Sequence, residues 1–184
     1  MAHGSGSAAA PSGQPLDHVA RIQAEWARER PDLDVSPQGV IGRLHRLAAH
    51  LTEELAAVFD DFEFSAGEFD VLAALRRAGT PFERSPSELA ETTMITSGGL
   101  SKRLDRLESA GLIERRILEG DRRQRVVALT ATGRSVIDRA IEAHLENERR
   151  LLSVLSAEER AAIEALLARW MRVADDAPPR TVPG

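Results

Sequence analysis

The chain contains no cysteine and no tyrosine. The first absence removes disulfides, thiolate metal ligands and thiol redox sensing together. The second removes phenolic hydroxyl chemistry. No stretch approaches the roughly 18 consecutive apolar residues that a membrane span needs. Residues 1–15 are rich in Gly, Ser and Ala and lack both the basic start and the apolar run of a signal peptide. They are expected to form a flexible tail, and the location implied is cytoplasmic, close to the nucleoid. There is no Gly-rich phosphate loop, no Cys nucleophile and no Ser/His/Asp context beyond scattered residues. No catalytic residue and no cofactor are therefore expected, and an enzyme is not. His144 has no partner at metal-ligand spacing and no His/Glu cluster suggests zinc, so no metal is expected either. No internal repeat is visible.

What remains is a chain of 184 residues, 42% apolar, large enough for a real core in one compact domain with or without added helices. Its net charge is −5. Between Ser101 and Arg125, however, eight basic residues face five acidic ones, a local balance of +3 that leaves −8 on the remainder. A cationic face on an acidic body suits a DNA reader whose non-specific affinity is kept modest.

Hydrophobic periodicity predicts a mostly helical chain. Residues 16–30 carry Leu16, Val19, Ile22 and Trp26 near one face. Ser36 is read as the N-cap of a long helix with Pro37 at its first position, whose apolar stripe runs from Val40/Ile41 to Val58/Phe59 at a period near 3.6. Three Ser-x-x-Glu capping boxes, Ser65…Glu68, Ser85…Glu88 and Ser156…Glu159, start further helices. Gly79 ends the first of these. Met94-Ile95 forms the turn into a Thr96 N-cap.

Residues 96–133 carry the functional signal. A helix from Thr96 to Ala110, closed by Gly111, precedes a strand over 112–118, a turn over 119–124 and a return strand over 125–130. A cationic helix followed by an arginine-tipped hairpin is the outline of a winged helix-turn-helix. The helix can enter a major groove, and the hairpin can lie along the neighbouring backbone or minor groove. The fold class predicted is mainly α with a small β-wing (α+β). The predicted organisation has a DNA-binding unit over 65–130 inside a domain spanning 16–174, dimerisation helices over 16–62 and 131–174, and a second tail over 175–184. The long terminal helices need somewhere to bury their stripes, and a second copy of the chain is the economical partner. Two-fold symmetry would set the recognition helices roughly 34 Å apart on a pseudo-palindrome.

The run Leu107-Glu108-x-x-Gly111-Leu112-Ile113, then seven residues, Asp121-Arg122-Arg123, then six residues, Thr130-x-x-Gly133 resembles the MarR family of transcriptional regulators, with matching helix order from about Pro37 to Val173. A narrower resemblance is to the PecS/urate-responsive (UrtR) and trans-aconitate-responsive (TamR) branch of that family. It rests on the helix with Trp26, Pro31-Asp32-Leu33-Asp34, Gly67-Glu68-Phe69-Asp70-Val71-Leu72 and the run Ser97 to Leu107. The resemblance implies a dimer bound to operator DNA and released by a small anionic metabolite.

Ser97, Gly98, Ser101, Lys102 and Arg106 are candidate DNA contacts on the recognition helix. Hydroxyls and a helix N-terminus suit phosphate, whereas Lys102 or Arg106 can address guanine edges or backbone. Gly98 and Gly99 cost helix propensity, about 1 kcal/mol each, and permit close approach. Arg122 and Arg123 are candidates at the wing tip, where Asp121 would organise the turn, with Arg115 and Arg116 in reserve. The plainer reading is a solvated charged face. In the urate-responsive relatives an acid and a base pair beneath the recognition helix, and the matching residues here are Asp70 and Arg103. A carboxylate ligand would compete with Asp70 for Arg103, with Trp26 as aromatic wall and Arg43 as second cation; such coupling is usually about 1–3 kcal/mol. The plainer reading is a structural salt bridge and a core tryptophan. His45 and His50 are candidate pH sensors. Either, stacked on its symmetry mate, would loosen the interface below about pH 6.5, against the plainer reading of surface or satisfied core histidines.

Two functions compete. One is a homodimeric repressor of duplex DNA that responds to an organic anion. The other is a winged-helix module that docks protein, for which exposed apolar residues on the wing would be the sign.

Overall fold

The computed structural model describes residues 15–93, 97–117 and 125–176. The order is α1 (His18–Glu29), α2 (Ser36–Asp60), α3 (Ala66–Arg77), β1 (Glu83–Arg84), α4 (Pro86–Thr92), α5 (Ser97–Ser109), β2 (Ile113–Ile117), β3 (Arg125–Leu129), α6 (Ala131–Leu151), a 3-10 turn at Leu152–Val154, and α7 (Ala157–Asp175). The chain forms two compact units that divide inside α2, between Glu54 and Leu55.

In the first unit, Asp17 caps α1 by accepting from Ala20 N at 2.8 Å. α1 meets the first half of α2 at Gly42, where an added Cβ would lie 3.2 Å from Val19. Gln23 Nε2 donates to Val35 O across the connection. The predicted Ser36 N-cap is corrected here. Ser36 is already the first helical residue of α2, and its N–H is taken by the Asp34 carboxylate at 2.9 Å. Aspartate two residues earlier reaches the orphan donor with a charged oxygen, the stronger acceptor.

The second unit is built on α3. Val71, Leu72, Ala74 and Leu75 are fully buried there, packed with Leu89 of α4, Leu100, Leu104 and Leu107 of α5, Ile113 and Val127 of the sheet, and Ile137 and Ala140 of α6. All three capping boxes are present, at Ser65, Ser85 and Ser156. Gly79 and Gly111, which end α3 and α5, have φ of +75° and +70°, the left-handed conformation that favours glycine at helix ends.

The antiparallel sheet has the order β1-β3-β2, with Arg115 opposite Val127 and Glu83 opposite Ala128. Helices α3, α4 and α5 followed by this hairpin make a winged helix-turn-helix. Its α6 start is locked to the end of α5. Thr130 N donates to Leu112 O at 3.1 Å, Thr130 Oγ1 donates to Gly111 O at 2.7 Å, and the same Oγ1 accepts from Gly133 N at 2.9 Å. A Cβ at Gly133 would lie 2.8 Å from the Leu112 carbonyl carbon. The paired Gly-Leu and Thr-x-x-Gly segments of the sequence are thus two halves of one joint.

α7 buries no residue; Ile163, Leu166, Leu167, Trp170 and Met171 all stand exposed along it.

Candidate nucleic-acid interface and the cleft beneath it

α5 turns Leu100, Leu104 and Leu107 inward. Its opposite surface therefore carries Ser101, Lys102, Asp105 and Arg106, all exposed. Among the described residues Lys102 meets no acid within ion-pair distance. Ser97 and Gly98 open the helix. The Met94-Ile95 turn, Thr96, and the wing-tip candidates Arg122 and Arg123 with Asp121 lie outside the described residues.

The two arginines of β2 are held by acids. Arg115 Nη2 lies 2.6 Å from Asp105 Oδ1, and Arg115 N donates to Glu108 Oε1 at 3.1 Å. Arg116 lies 2.6 Å from Glu83 on β1 and 3.1 Å from Glu114. A cleft of about 440 Å³ runs along this side, lined by Pro86, Ser101, Arg115, Arg116 and Arg125 among others. Ile117, at the end of β2, is 59% exposed.

A smaller cleft of about 240 Å³ lies between the start of α3 and α5, lined by Ser65, Glu68, Gly99, Lys102, Arg103 and Arg106. Among the described residues Glu68 is the one charged side chain that is buried, 2% exposed. Its Oε2 accepts from Ser65 N at 2.7 Å and Oγ at 2.9 Å. Its Oε1 lies 3.1 Å from Arg106 Nε. Arg103 occupies a slot between two glycines. A Cβ at Gly67 would lie 2.9 Å from its guanidinium carbon, and one at Gly99 would meet its Nη1.

Sequence reasoning assigned Glu68 only to the capping box, which accounts for one carboxylate oxygen. The signal for the other is a Glu at the first turn of α3 and an Arg at the third exposed turn of α5, too far apart in the chain to read as a pair. Of the anticipated ligand group, Asp70 is half-buried on α3 and Arg103 lies in the glycine slot. In the first unit, Trp26 is 43% exposed on α1. Arg43 is engaged: Nε and Nη2 donate to the two carboxylate oxygens of Asp17 at 2.7 and 3.2 Å, and Nη1 donates to Gly39 O at 2.8 Å. The Arg43 guanidinium, then the Ala20 N–H, holds the Asp17 carboxyl below the usual carboxylate range. His45 and His50 are exposed on α2. Among the described residues no cluster of His, Cys, Asp or Glu is placed to hold a metal, and no helix is long and apolar enough to cross a membrane.

The elements define a winged helix-turn-helix with a cationic helix beside an arginine-bearing hairpin. Comparison with known proteins gives the family. The model described as MarR family matches residues 62–124. The HTH-type transcriptional regulator PecS of Dickeya dadantii is 47% identical over 151 residues, 82% of this chain and 91% of that protein. The chain belongs to the MarR family of transcriptional regulators. Among solved structures, a mutant MarR from E. coli complexed with operator DNA has a TM-score of 0.62 at 27% identity, covering 74% of this chain and 98% of that one. Bordetella bronchiseptica BpsR, studied for regulation of its DNA binding by 6-hydroxynicotinic acid, has a TM-score of 0.62 at 27% identity, covering 75% and 94%.

Proposed function

We propose that this protein is a homodimeric repressor that binds a pseudo-palindromic operator in duplex DNA and releases it when a small organic anion, such as urate or trans-aconitate, binds. The observation that carries the reading is the exposed Lys102 and Arg106 face of α5 beside the arginine-lined wing cleft, in a chain 47% identical to a transcriptional regulator. The unburied apolar stripe of α7 supports pairing with a second copy. For the effector, Arg103 is the group through which an anion acts. It sits on the recognition helix, and a ligand oxyanion competing for its guanidinium shifts that helix against α3. Asp70, on the facing helix, is the competing carboxylate.

The test is a mobility-shift assay with the DNA upstream of the protein's own gene, repeated with urate, xanthine, trans-aconitate and citrate at two pH values. A retarded complex that one anion dissolves supports the reading. Arg103→Ala is expected to blunt that release while weakening DNA binding moderately, and a normal response in this variant overturns the displacement mechanism. Trp26→Ala and Arg43→Ala ask separately whether the first unit takes part. His45→Ala and His50→Ala ask whether any pH dependence resides in α2.

A second reading, a winged-helix module that docks protein without operator binding, is favoured by one observation: the apolar Ile117 stands exposed on the wing strand. Binding to duplex DNA with a steep salt dependence decides against it, because each neutralised phosphate contributes a slope of about −0.9 in log K against log salt.

A further inference from the structure

Glu68 is a buried carboxylate with two separate duties. Ser65 N and Oγ anchor its Oε2, which leaves Oε1 as the acceptor on the side of α5. Arg106 rests its Nε on that oxygen at 3.1 Å while its side chain remains 63% exposed. An arginine approached by a carboxylate at its Nε edge can turn its Nη groups to another acceptor, and among the described residues no acid other than Glu68 pairs with Arg106. A long side chain that must be ordered on binding loses rotamer freedom, and ordering it beforehand reduces that loss. A guanidinium with two parallel N–H groups also matches a phosphate or a guanine edge.

We propose that Glu68 is a positioning residue for operator recognition: from the first turn of α3 it holds the Arg106 guanidinium so that both Nη groups are presented to DNA. This rests on the operator-binding reading above. It also has a distinctive sign. Electrostatically, a carboxylate next to the duplex repels phosphate, so its neutralisation alone leaves binding to arbitrary DNA unchanged or tighter. Loss of positioning instead weakens only the duplex that Arg106 reads. The ratio of the two affinities therefore separates positioning from charge.

The experiment uses the full chain and a duplex that the wild-type protein has selected from a random pool, with unselected duplex as comparison. Failure of the wild type to select any duplex would end the operator reading itself. Given selection, Glu68→Gln is expected to lower the ratio of selected to unselected affinity by roughly tenfold, the discrimination of one good bidentate contact. In an Arg106→Gln background the same change should lower it no further, since residues acting through one contact are non-additive. An unchanged ratio, equal loss on both duplexes, or undiminished loss in the Arg106→Gln background overturns the proposal. If Glu68→Gln does not fold, the wild type decides through the 15Nε–H resonance of Arg106 in the DNA-free protein. Protection from solvent exchange is expected, and averaging with the other exposed arginines overturns the assignment.

Discussion

Arg115, on the wing strand β2, reaches back to α5 and places its Nη2 2.6 Å from Asp105 Oδ1. The bond ties the wing to the recognition helix one turn from Ser101, whose carbonyl accepts from the same Nη2 at 3.4 Å. The side chains are 37% and 65% exposed, so the pair adds at most about 1 kcal/mol to stability. Its consequence is orientation: wing strand and helix are held as one piece. Arg115→Gln is therefore expected to leave the unfolding midpoint nearly unchanged, and the salt slope of DNA binding as well, because this guanidinium is engaged by acids. Lys102→Gln should reduce that slope by about 0.9, one phosphate contact. The reverse pattern would mean that Arg115 leaves Asp105 for the backbone.

The glycine slot makes a prediction of a different kind. A Cβ at Gly99 would meet Nη1 of Arg103, the far end of a flexible side chain that can swing aside. Gly99→Ala also gains about 1 kcal/mol of helix propensity. The variant should be as stable as the parent in urea, or more so, yet altered in its response to effector because Arg103 has moved. A variant with normal effector response shows that the position of Arg103 does not matter to release.

At Gly133 the obstacle is backbone. A methyl group would lie 2.8 Å from the Leu112 carbonyl carbon, in the joint where Thr130 N bonds Leu112 O. Neither side can rotate away. Gly133→Ala should cost about 1–3 kcal/mol as overpacking, visible as a lower urea midpoint with an unchanged m-value. Gain of stability would mean that the joint opens without cost.

The elements that were legible in the sequence are those governed by short-range chemistry. Ser65, Ser85 and Ser156 announce their helices because cap and acceptor lie three residues apart, and Gly79 and Gly111 end theirs by conformation. β1 was not legible: two residues, Glu83 and Arg84, both half-buried, offer no alternation to read, and their strand exists only through pairing with Ala128 and Val127. The start of α2 was misplaced because Ser-Pro is a sound signal in itself and Asp34 competes from outside the pattern. Within the site, the exposed face of α5 follows from the spacing of Leu100, Leu104 and Leu107. The Glu68–Arg106 bridge does not, because nothing local relates residues brought together only by packing of α3 against α5.

In the first unit the Asp17–Arg43 pair couples α1 to α2, and its pH dependence has a definite sign. The Asp17 carboxyl is held below its ordinary range by Arg43 first and Ala20 N–H second. Its contribution is thus present in full above the unfolded value, about 4, and disappears as pH falls through the lowered folded value. Asp17→Asn keeps a capping oxygen for Ala20 N but removes the charge. Trp26 emission, read in a Trp170→Phe background that leaves one tryptophan, should differ between the parent and the Asp17→Asn variant at neutral pH and converge in acid. A difference that persists below both values would place the effect in the cap rather than the ion pair.

The stripe on α7 bears on whether DNA recognition needs two copies. Ile163, Leu166, Leu167, Trp170 and Met171 are exposed in the single chain, and the i, i+3, i+4, i+7 spacing puts them along one side. A glutamate at Leu166 then costs the isolated chain little, because that side chain already faces water. In a dimer covered along this stripe, the two copies of one isologous interface would each bury an unpaired carboxylate, a penalty counted twice. Leu166→Glu is accordingly expected to sediment as a monomer with normal circular dichroism, and to bind the selected duplex at least tenfold more weakly, since a monomer addresses one half-site. Sedimentation as a dimer with unchanged affinity would exclude α7 as the interface. A monomer that binds as tightly as the parent would remove dimerisation from the recognition mechanism altogether.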